Sequence, residues 1–191
     1  MVETKFFDTQ VTDQVVATGG TILSSTLNAV AQGVGESDRV GREVLVSGLE
    51  INGRVLLPSQ ASGSGATFNA ERVRILVYID TQANGAAIAS TGRLLEPNTI
   101  YGHFNEVERE RIDIIADHTV DLFHRASIAQ GPRFAAVVQS FSLHIPLEVT
   151  LDYNNATGAI TSLTSNNIGV AAWSDYGDNE VTYNARLYYE D

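Results

Sequence analysis

Apolar and polar residues alternate with a period of two along much of the chain. The pattern is clearest in "FSLHIPLEVTLDY", residues 141–153, in which every odd position is apolar: Phe141, Leu143, Ile145, Leu147, Val149, Leu151 and Tyr153. This period predicts a β-strand with one buried face and one face in solvent. Pro146 lies on the polar face and has no backbone N–H to donate, so we expect this strand at a sheet edge or bent at that point.

Five further segments show strand patterns of the same kind. In "RVRILVYID", residues 72–80, the alternation puts Val73, Ile75, Val77 and Ile79 inward and Arg72, Arg74 and Asp80 outward. In "EVTYNARLYY", residues 180–189, it puts Val181, Tyr183, Ala185, Leu187 and Tyr189 inward. In "REVLVSGLEINGRVLL", residues 42–57, one side carries Leu45, Leu49, Ile51, Val55 and Leu57, with Ser47 and Gly53 in the same register. The segments "TILSSTLNAV" and "NIGVAAWS" are shorter candidates.

Polar, glycine-rich segments separate these strands and predict loops at 57–71, 81–108 and 153–167. The long loop 81–108 is expected to hold a short helix around Thr91–Glu96. Seven or eight strands without crossover helices indicate an all-β antiparallel sandwich or barrel. We expect one domain over residues 1–191, with residues 1–20 leading into the strands and loops of residues 21–191.

The segment "ERERIDIIADHTVDLF", residues 108–123, fits both a helix and a strand. As a helix, it would gather Asp113, Asp117 and Asp121 on one face, where they could bind a cation. As a strand, it would point these carboxylates away from the apolar face formed by Ile112, Ile114, Ala116, Val120 and Leu122. The β-branched residues favour the strand, in which Asp117 and Asp121 are roughly 13 Å apart, too far to share one ion. The carboxylates are therefore predicted at solvent, at a subunit interface or in ion pairs with arginine.

Few residues suggest a catalytic, metal-binding or cofactor-binding site. The absence of Cys excludes disulfides, thiolate zinc sites and cysteine nucleophiles. His118 is expected as a core or interface residue on the apolar strand face, and the spacing of the other histidines, His103, His124 and His144, predicts no convergent site. Neither "GVGESDRVG" nor "ASGSGA" matches a phosphate-binding loop. No cofactor is predicted, although the oxygen-rich "DYNNATG" and "DYGDNE" leave calcium open at a loop or subunit boundary.

The charge is strongly negative and uneven. The formal net charge is −11, which indicates a surface that repels nucleic acid and anionic membranes. Ten of the eleven arginines fall between Arg39 and Arg133, so any contact with a polyanion is expected from these central arginines. No apolar run has the length of a membrane helix, and "MVETKFFDTQ" lacks the features of a signal peptide, so the chain is expected to be soluble.

Several stretches, in order along the chain, resemble capsid proteins of small circular Rep-encoding single-stranded DNA viruses, the circo-like and environmental group. These stretches are "VETKFFDT", "LNAVAQGVGESDRVGREVLVSGLEINGRV", "RVRILVYIDTQANGA", "NEVERERIDIIADHTVDL", "SNNIGVAAWSD" and "ARLYYED". The fourth is similar to a strand motif of that group through Arg111, Ile112, Ile114, Ile115, Asp117 and Leu122.

The resemblance implies a single jelly-roll β-sandwich of two four-stranded antiparallel sheets, similar to the coats of satellite plant viruses. It implies a non-enzymatic capsid protein that is assembled inside the host cell into a T=1 icosahedral virion of about 60 copies. The implied partners are other copies of the chain, packaged nucleic acid and an unknown host receptor, with no membrane. The residues that match the motifs are candidates for assembly: Arg39, Gly41, Arg72, Arg74, Asp80, Arg111, Asp117 and Arg186.

One feature departs from that group, whose capsid proteins usually begin with an arginine- and lysine-rich arm that neutralises the genome. No such arm is present here, and "VETKFFDT" resembles the segment that connects the arm to the shell domain. We therefore expect the chain to be the arm-less or ordered part of a longer product. The arginines Arg72, Arg74, Arg109, Arg111 and Arg125 are expected either in ion pairs between subunits or facing the shell interior.

Two other functions compete with the capsid interpretation. A ligand- or carbohydrate-binding β-sandwich module would display a row of exposed aromatic side chains, but Trp173 is the only Trp and the tyrosines of "RLYYED" alternate in and out. A β-sandwich hydrolase lacks a defensible set of catalytic residues.

Overall fold

The computed structural model describes residues 4–58, 70–123 and 136–191. These residues form ten strands: β1 Thr4–Val16, β2 Thr21–Ser24, β3 Glu43–Leu57, β4 Ala70–Asp80, β5 Leu95–Glu96, β6 His103–Phe104, β7 Ile112–Phe123, β8 Val137–Asp152, β9 Asn167–Ser174 and β10 Asn179–Glu190. Two short 3-10 helices span Thr91–Arg93 and Ile160–Ser162. Within these ranges, no helix is long and apolar enough to cross a membrane.

The strands form two four-stranded antiparallel sheets with the order β1-β10-β3-β8 and β2-β9-β4-β7, while β5 and β6 pair separately. Among the eight long or sheet-forming strands, the first pairs with the last, the second with the seventh, the third with the sixth and the fourth with the fifth. This nested pairing is that of a hairpin rolled into a sandwich, the single jelly roll. The expected fold class is therefore confirmed.

The main core lies between the two sheets and is built by alternate residues of their strands. In β10 the inward residues are the five that the sequence pattern predicted, Val181, Tyr183, Ala185, Leu187 and Tyr189, and each is at most 2% exposed. In β4 the predicted inward residues Val73, Ile75, Val77 and Ile79 are likewise buried in this core. These two strands have regular alternation, so period two identified their buried faces.

Strand β3 corrects one predicted core position. Leu45 is 37% exposed, whereas Val44 and Val46 are buried. Val46 pairs with Tyr189 and Gly48 with Tyr188, so Ser47 is an extra residue opposite β10. A bulge of this kind moves every residue on one side of it to the opposite face of the sheet. The inward face predicted from Leu49 onward is therefore wrong at Leu45.

Strand β8 is an edge strand, as its proline predicted. Pro146 pairs opposite Gly48 at the point where the β3–β8 register shifts. The missing N–H of the proline therefore falls at an irregular part of a sheet edge.

The outer face of the second sheet is covered by the β4–β7 connection, residues 81–111. Leu76, Tyr78 and Trp173 point outward from this sheet and are fully buried against Ile88, Leu94, Leu95 and Ile100 of the connection. All eight residues of β9 are consequently buried. The helix predicted at Thr91–Glu96 is wrong beyond its first turn, because Leu95–Glu96 pairs as β5 with β6.

Residues 112–123 form strand β7, which confirms the strand interpretation, and Asp113, Asp117 and Asp121 are all exposed. Ile112 and Ile114, however, pack into the cluster beneath the β4–β7 connection, not into the main core. Val77 pairs with Ala116 and Tyr78 with Ile114, so Ile115 is a bulge that reverses the strand faces at this point.

Residues 1–20 do not simply lead into the first strand, because Thr4–Val16 form edge strand β1, which pairs with β10. The register shifts between Val11 and Gln14, and Asp13 has a positive φ of 46°. This irregularity and the polar residues on both faces hide the alternation in the sequence. The predicted loop "ASGSGA" and the residues His124, Arg125 and Arg133 lie outside the described residues.

Candidate functional site

Two arginines of β4 pair with two carboxylates of β7 on the outer face of the second sheet. Arg72 lies directly opposite Asp121, and its Nε donates to Asp121 Oδ1 over 2.7 Å. Arg74 reaches diagonally to Asp117 and donates from Nε and Nη2 to the two carboxylate oxygens over 2.9 and 2.7 Å. Asp117 and Asp121 therefore take the ion-pair role, one of the three roles that the sequence left open for them.

Arg74 also binds the β4–β7 connection. Its Nη1 donates to the carbonyl oxygens of Ile100 and Gly102 over 3.0 and 2.7 Å, and its guanidinium lies 5.7 Å from the ring centre of Phe104. One side chain thus joins β4, β7 and the segment that covers them, which makes it a structural bridge.

Asp80 and Arg111 form a buried ion pair at the end of β4 and just before β7. The Asp80 side chain is fully buried, and Nε and Nη2 of Arg111 each donate to it over 2.7 Å. The Gln82 backbone N–H adds a hydrogen bond of 3.2 Å to the same carboxylate. Hydrogen bonding to Asp80 raises the pKa of Arg111.

The outer face of the first sheet carries a row of polar side chains. Arg186 of β10 donates two hydrogen bonds of 2.7 Å to Asp8 of β1 and lies 4.3 Å from the ring centre of Phe6. The hydrogen bonds from Arg186 lower the pKa of Asp8. In the same row, Glu50 lies 3.3 Å from His144 Nδ1.

Arg39 is fully buried and binds carbonyl groups in place of a carboxylate. It donates to the carbonyl oxygens of Val30, Gly41 and Asn155, the first over 3.0 Å, and its guanidinium lies 4.0 Å from the ring centre of Tyr153. Burial lowers the pKa of this guanidinium. Arg39 and Gly41 therefore tie the β2–β3 loop to the β8–β9 loop.

Asp191 contributes a link that the sequence pattern did not suggest. Its carboxylate accepts hydrogen bonds from the backbone N–H groups of Val40 and Gly41, the latter over 3.1 Å, and pairs with Lys5 over 3.5 Å. Arg93 and Glu108 form a second unforeseen pair, with hydrogen bonds of 2.9 and 2.6 Å. No local spacing signals such contacts, because only the folded topology brings the partners together.

The other candidate residues do not assemble into a reactive centre within the described ranges. His103 is exposed on β6, His144 lies on the outer face of β8, and the His118 ring packs 6.0 Å from Phe141. No group of three His, Asp or Glu side chains in those ranges is placed to hold a metal ion. Calcium at a boundary between copies stays a prediction.

In the two oxygen-rich stretches, side chains take part in hydrogen bonds within the chain. Asn155 Oδ1 accepts from both the N–H and the hydroxyl of Thr157, over 2.9 and 2.7 Å. Asn179 Nδ2 donates to Glu71 over 2.6 Å and to Ser174 over 2.7 Å. These contacts lie within the chain and assign no ligand.

A groove of about 380 Å³ lies between β6, the turn after it and the start of β7. Its apolar lining comes from Leu94, Phe104, Ile112 and Ile114, and its polar lining from Arg93, Asn105, Glu106, Arg109 and Asp113. Phe104 is 45% exposed. This concave surface with an apolar floor and a charged rim is a candidate contact site.

The strand topology defines the chain as a single jelly roll. Several of its arginine side chains form ion pairs with aspartates of the same chain. Solved structures with which it can be aligned include Desmodium yellow mottle tymovirus, with 10% identity over 100% of this chain and 89% of the other, and a TM-score of 0.39. The 60-mer of the BFDV capsid protein aligns with 10% identity over 100% and 90%, with a TM-score of 0.27. Cocksfoot mottle virus aligns with 9% identity over 98% and 94%, with a TM-score of 0.34.

These scores are too low to assign the chain a family or a function. No family model matches the chain, and no curated protein matches it.

Proposed function

We propose that the protein is a non-enzymatic viral capsid protein whose copies assemble into a small icosahedral shell around a genome. One observation carries the proposal. The sequence stretches that resemble circo-like capsid proteins lie on separate strands of a jelly roll, in chain order, on β1, β3, β4, β7, β9 and β10. A resemblance that covers six strands of one nested topology in chain order is hard to produce by chance.

The internal ion pairs suit a subunit that must keep its shape in a lattice. Arg72, Arg74, Arg111 and Arg186 each bind a carboxylate of the same chain and thereby hold neighbouring strands or the covering connection together. A rigid subunit loses little conformational freedom on assembly, and closed symmetry multiplies weak contacts. We propose a T=1 shell of about 60 copies, formed in the host cell and present in the virion.

Genome neutralisation is the part of this function that these residues support least. The net charge is −11, and the four arginines named above are engaged with carboxylates of the same chain. We therefore propose that positive charge for packaged nucleic acid comes from a basic arm beyond these 191 residues.

The test is size-exclusion chromatography with negative-stain microscopy of the purified chain, across about pH 5 to 8 and from low to high salt. Spherical particles of uniform diameter are the expected result. Monomers under every condition would overturn the proposal. Salt is varied because a subunit of this charge repels its own copies, and screening reduces that repulsion.

The alternative, a carbohydrate-binding module, has less support. Trp173 is fully buried beneath the β4–β7 connection and its Nε1 donates to Asn98 over 2.9 Å, so it offers no stacking surface for a sugar.

A further inference from the structure

A small pocket lies on the outer face of the second sheet, beside the covering β4–β7 connection. Its volume is about 210 Å³, and its lining includes the charged side chains Glu71, Arg72, Asp121 and Asp175 and the aromatic side chains Tyr101 and Phe123. Both aromatic side chains are open to solvent, since Tyr101 is 67% exposed and Phe123 is 64% exposed. Exposed aromatic rings around a concave surface with a few polar groups are typical of a binding site.

The position of Tyr101 is fixed on both sides. The carbonyl groups of its chain neighbours Ile100 and Gly102 accept hydrogen bonds of 3.0 and 2.7 Å from Arg74. A side-chain hydrogen bond to Asp175 raises the pKa of Tyr101. The backbone N–H of Asp175 is in turn bound to β4 by a hydrogen bond of 3.1 Å. The pocket is therefore preorganised, so a ligand that binds there loses little affinity to the ordering of side chains.

The charged groups of the pocket already have partners in the chain. Nε of Arg72 donates to Asp121 over 2.7 Å, and the buried carboxylate of Glu71 accepts a side-chain hydrogen bond of 2.6 Å. Asp175 has the contact described above. An anionic ligand would approach the three carboxylates of the lining, and a cationic ligand would approach the Arg72 guanidinium. The pocket therefore favours a ligand without net charge.

Hydrogen-bonding groups remain for such a ligand. Within the described residues, Nη1 and Nη2 of Arg72 donate no hydrogen bond and Oδ2 of Asp121 accepts none. Both side chains are 43% exposed, so these groups are accessible. The planar guanidinium and the neighbouring carboxylate oxygen can bind adjacent hydroxyl groups, while the rings of Tyr101 and Phe123 can pack against an apolar C–H face.

We propose that this pocket binds a neutral sugar ring, with adjacent hydroxyl groups on Arg72 and Asp121 and a C–H face against Tyr101 and Phe123. A sugar combines a set of hydroxyl groups with an apolar ring face, which is the combination that the lining of the pocket matches. The inference goes beyond the proposed shell function and does not depend on it, because one subunit contains all of these residues. The pocket is a single site, unlike the row of aromatic side chains on a carbohydrate-binding module.

Saturation-transfer NMR on the full chain tests the ligand class. The probes are the methyl glycosides of glucose, galactose, mannose and N-acetylglucosamine, with glucuronic acid and protonated glucosamine as charged counterparts. We expect at least one neutral glycoside to bind with a Kd that changes by less than about twofold between low and high salt, because no ion pair forms. Absence of binding by every neutral glycoside, or tighter binding of a charged sugar, would overturn the proposal.

Substitutions locate the binding in this pocket. Tyr101→Ala should weaken the binding of the neutral glycoside about threefold to tenfold, whereas Tyr101→Phe, which keeps the ring, should retain most of the affinity. Arg72→Lys keeps the charge opposite Asp121 but removes the planar donors, so it should also weaken binding. Leu45→Ala, near the start of β3 and 37% exposed, is the control and should bind as wild type does. Unchanged affinity of both Tyr101→Ala and Arg72→Lys would overturn the assignment.

Competition identifies the source of the sugar. Beads that carry glycans ending in the bound sugar displace the methyl glycoside if the pocket recognises the end of a surface glycan. They leave it bound if the pocket accepts only the free sugar, and either result supports a sugar site. Failure of the chain to form shells would remove the proposed function and leave sugar binding unchanged, so the two failures are distinguishable.

Discussion

Arg74 and Asp117 form a two-pronged ion pair between β4 and β7, with nitrogen–oxygen distances of 2.9 and 2.7 Å. The same guanidinium donates to the carbonyl groups of Ile100 and Gly102. Asp117 thus fixes the orientation of the arginine that binds the β4–β7 connection.

Asp117→Asn should destabilise the fold by about 1–2 kcal/mol, because it removes a charge from a hydrogen-bonded pair in which the arginine side chain is only 15% exposed. The measurement is urea unfolding followed by circular dichroism. Asp113→Asn, on the same strand and exposed, is the control and should change the free energy of unfolding by less than about 0.5 kcal/mol. Similar changes in the free energy of unfolding for the two variants would show that the ion pair does not stabilise the fold.

Arg111→Met should be more damaging, by about 3–5 kcal/mol, because it leaves the fully buried carboxylate of Asp80 without its counterion. The double variant Asp80→Asn/Arg111→Met should be more stable than Arg111→Met alone, since its buried side chain is neutral. A double-mutant cycle measured by urea unfolding gives the coupling between the two positions. Additive effects would contradict the pairing.

Gly53→Ala should cost about 1–3 kcal/mol through overpacking. A Cβ at Gly53 would lie 2.6 Å from the Thr182 carbonyl oxygen and 2.7 Å from the Phe141 ring. Gly48 on the same strand is the control, because a Cβ there would meet its nearest atom at 3.7 Å. Thermal unfolding should therefore separate the two alanine variants, and equal melting temperatures would show that the core at Gly53 has room to relax.

The Asp191 link should make stability depend on pH in the acid range. Burial opposes ionisation of Asp191, but the N–H groups of Val40 and Gly41 and the charge of Lys5 outweigh it and lower the pKa. A carboxyl with a lowered folded-state pKa stabilises fully above its unfolded value of about 3.9 and loses this contribution as pH falls through the folded value.

The variant Asp191→Asn should therefore be less stable than wild type at about pH 7, and the difference should shrink below about pH 4. Urea midpoints at about pH 7, 4 and 2.5 provide the measurement. Asp178→Asn, exposed in the β9–β10 turn, is the control variant measured under the same conditions. A difference for Asp191→Asn that is constant with pH would contradict this role of the carboxylate.

The sequence predicts the strands of this fold wherever alternation runs unbroken. In β4 and β10, the period of two identified the residues that face the main core. At Ser47 and Ile115 the prediction failed, because one extra residue in a strand exchanges its faces without leaving a composition signal. Strand β1 was missed for a related reason, since its register breaks between Val11 and Gln14.

The candidate site was less predictable than the strands. The chemical types of Arg74 and Asp117 suggested an ion pair, but only the register between β4 and β7 determines which arginine meets which carboxylate. Contacts such as Lys5 with Asp191 join residues from opposite ends of the sequence, so no local pattern indicates them.

The β4–β7 connection divides the sandwich into two unequal environments. With its cover, the second sheet is the middle layer of three, and strand β9 has no water-facing side, whereas the outer face of the first sheet remains open to solvent. The two sheets therefore differ in how well they tolerate substitutions. Charged side chains on the open face of the first sheet can be exchanged with little effect on folding. In β9, a larger or charged side chain would be buried at every position, either in the main core or beneath the β4–β7 connection.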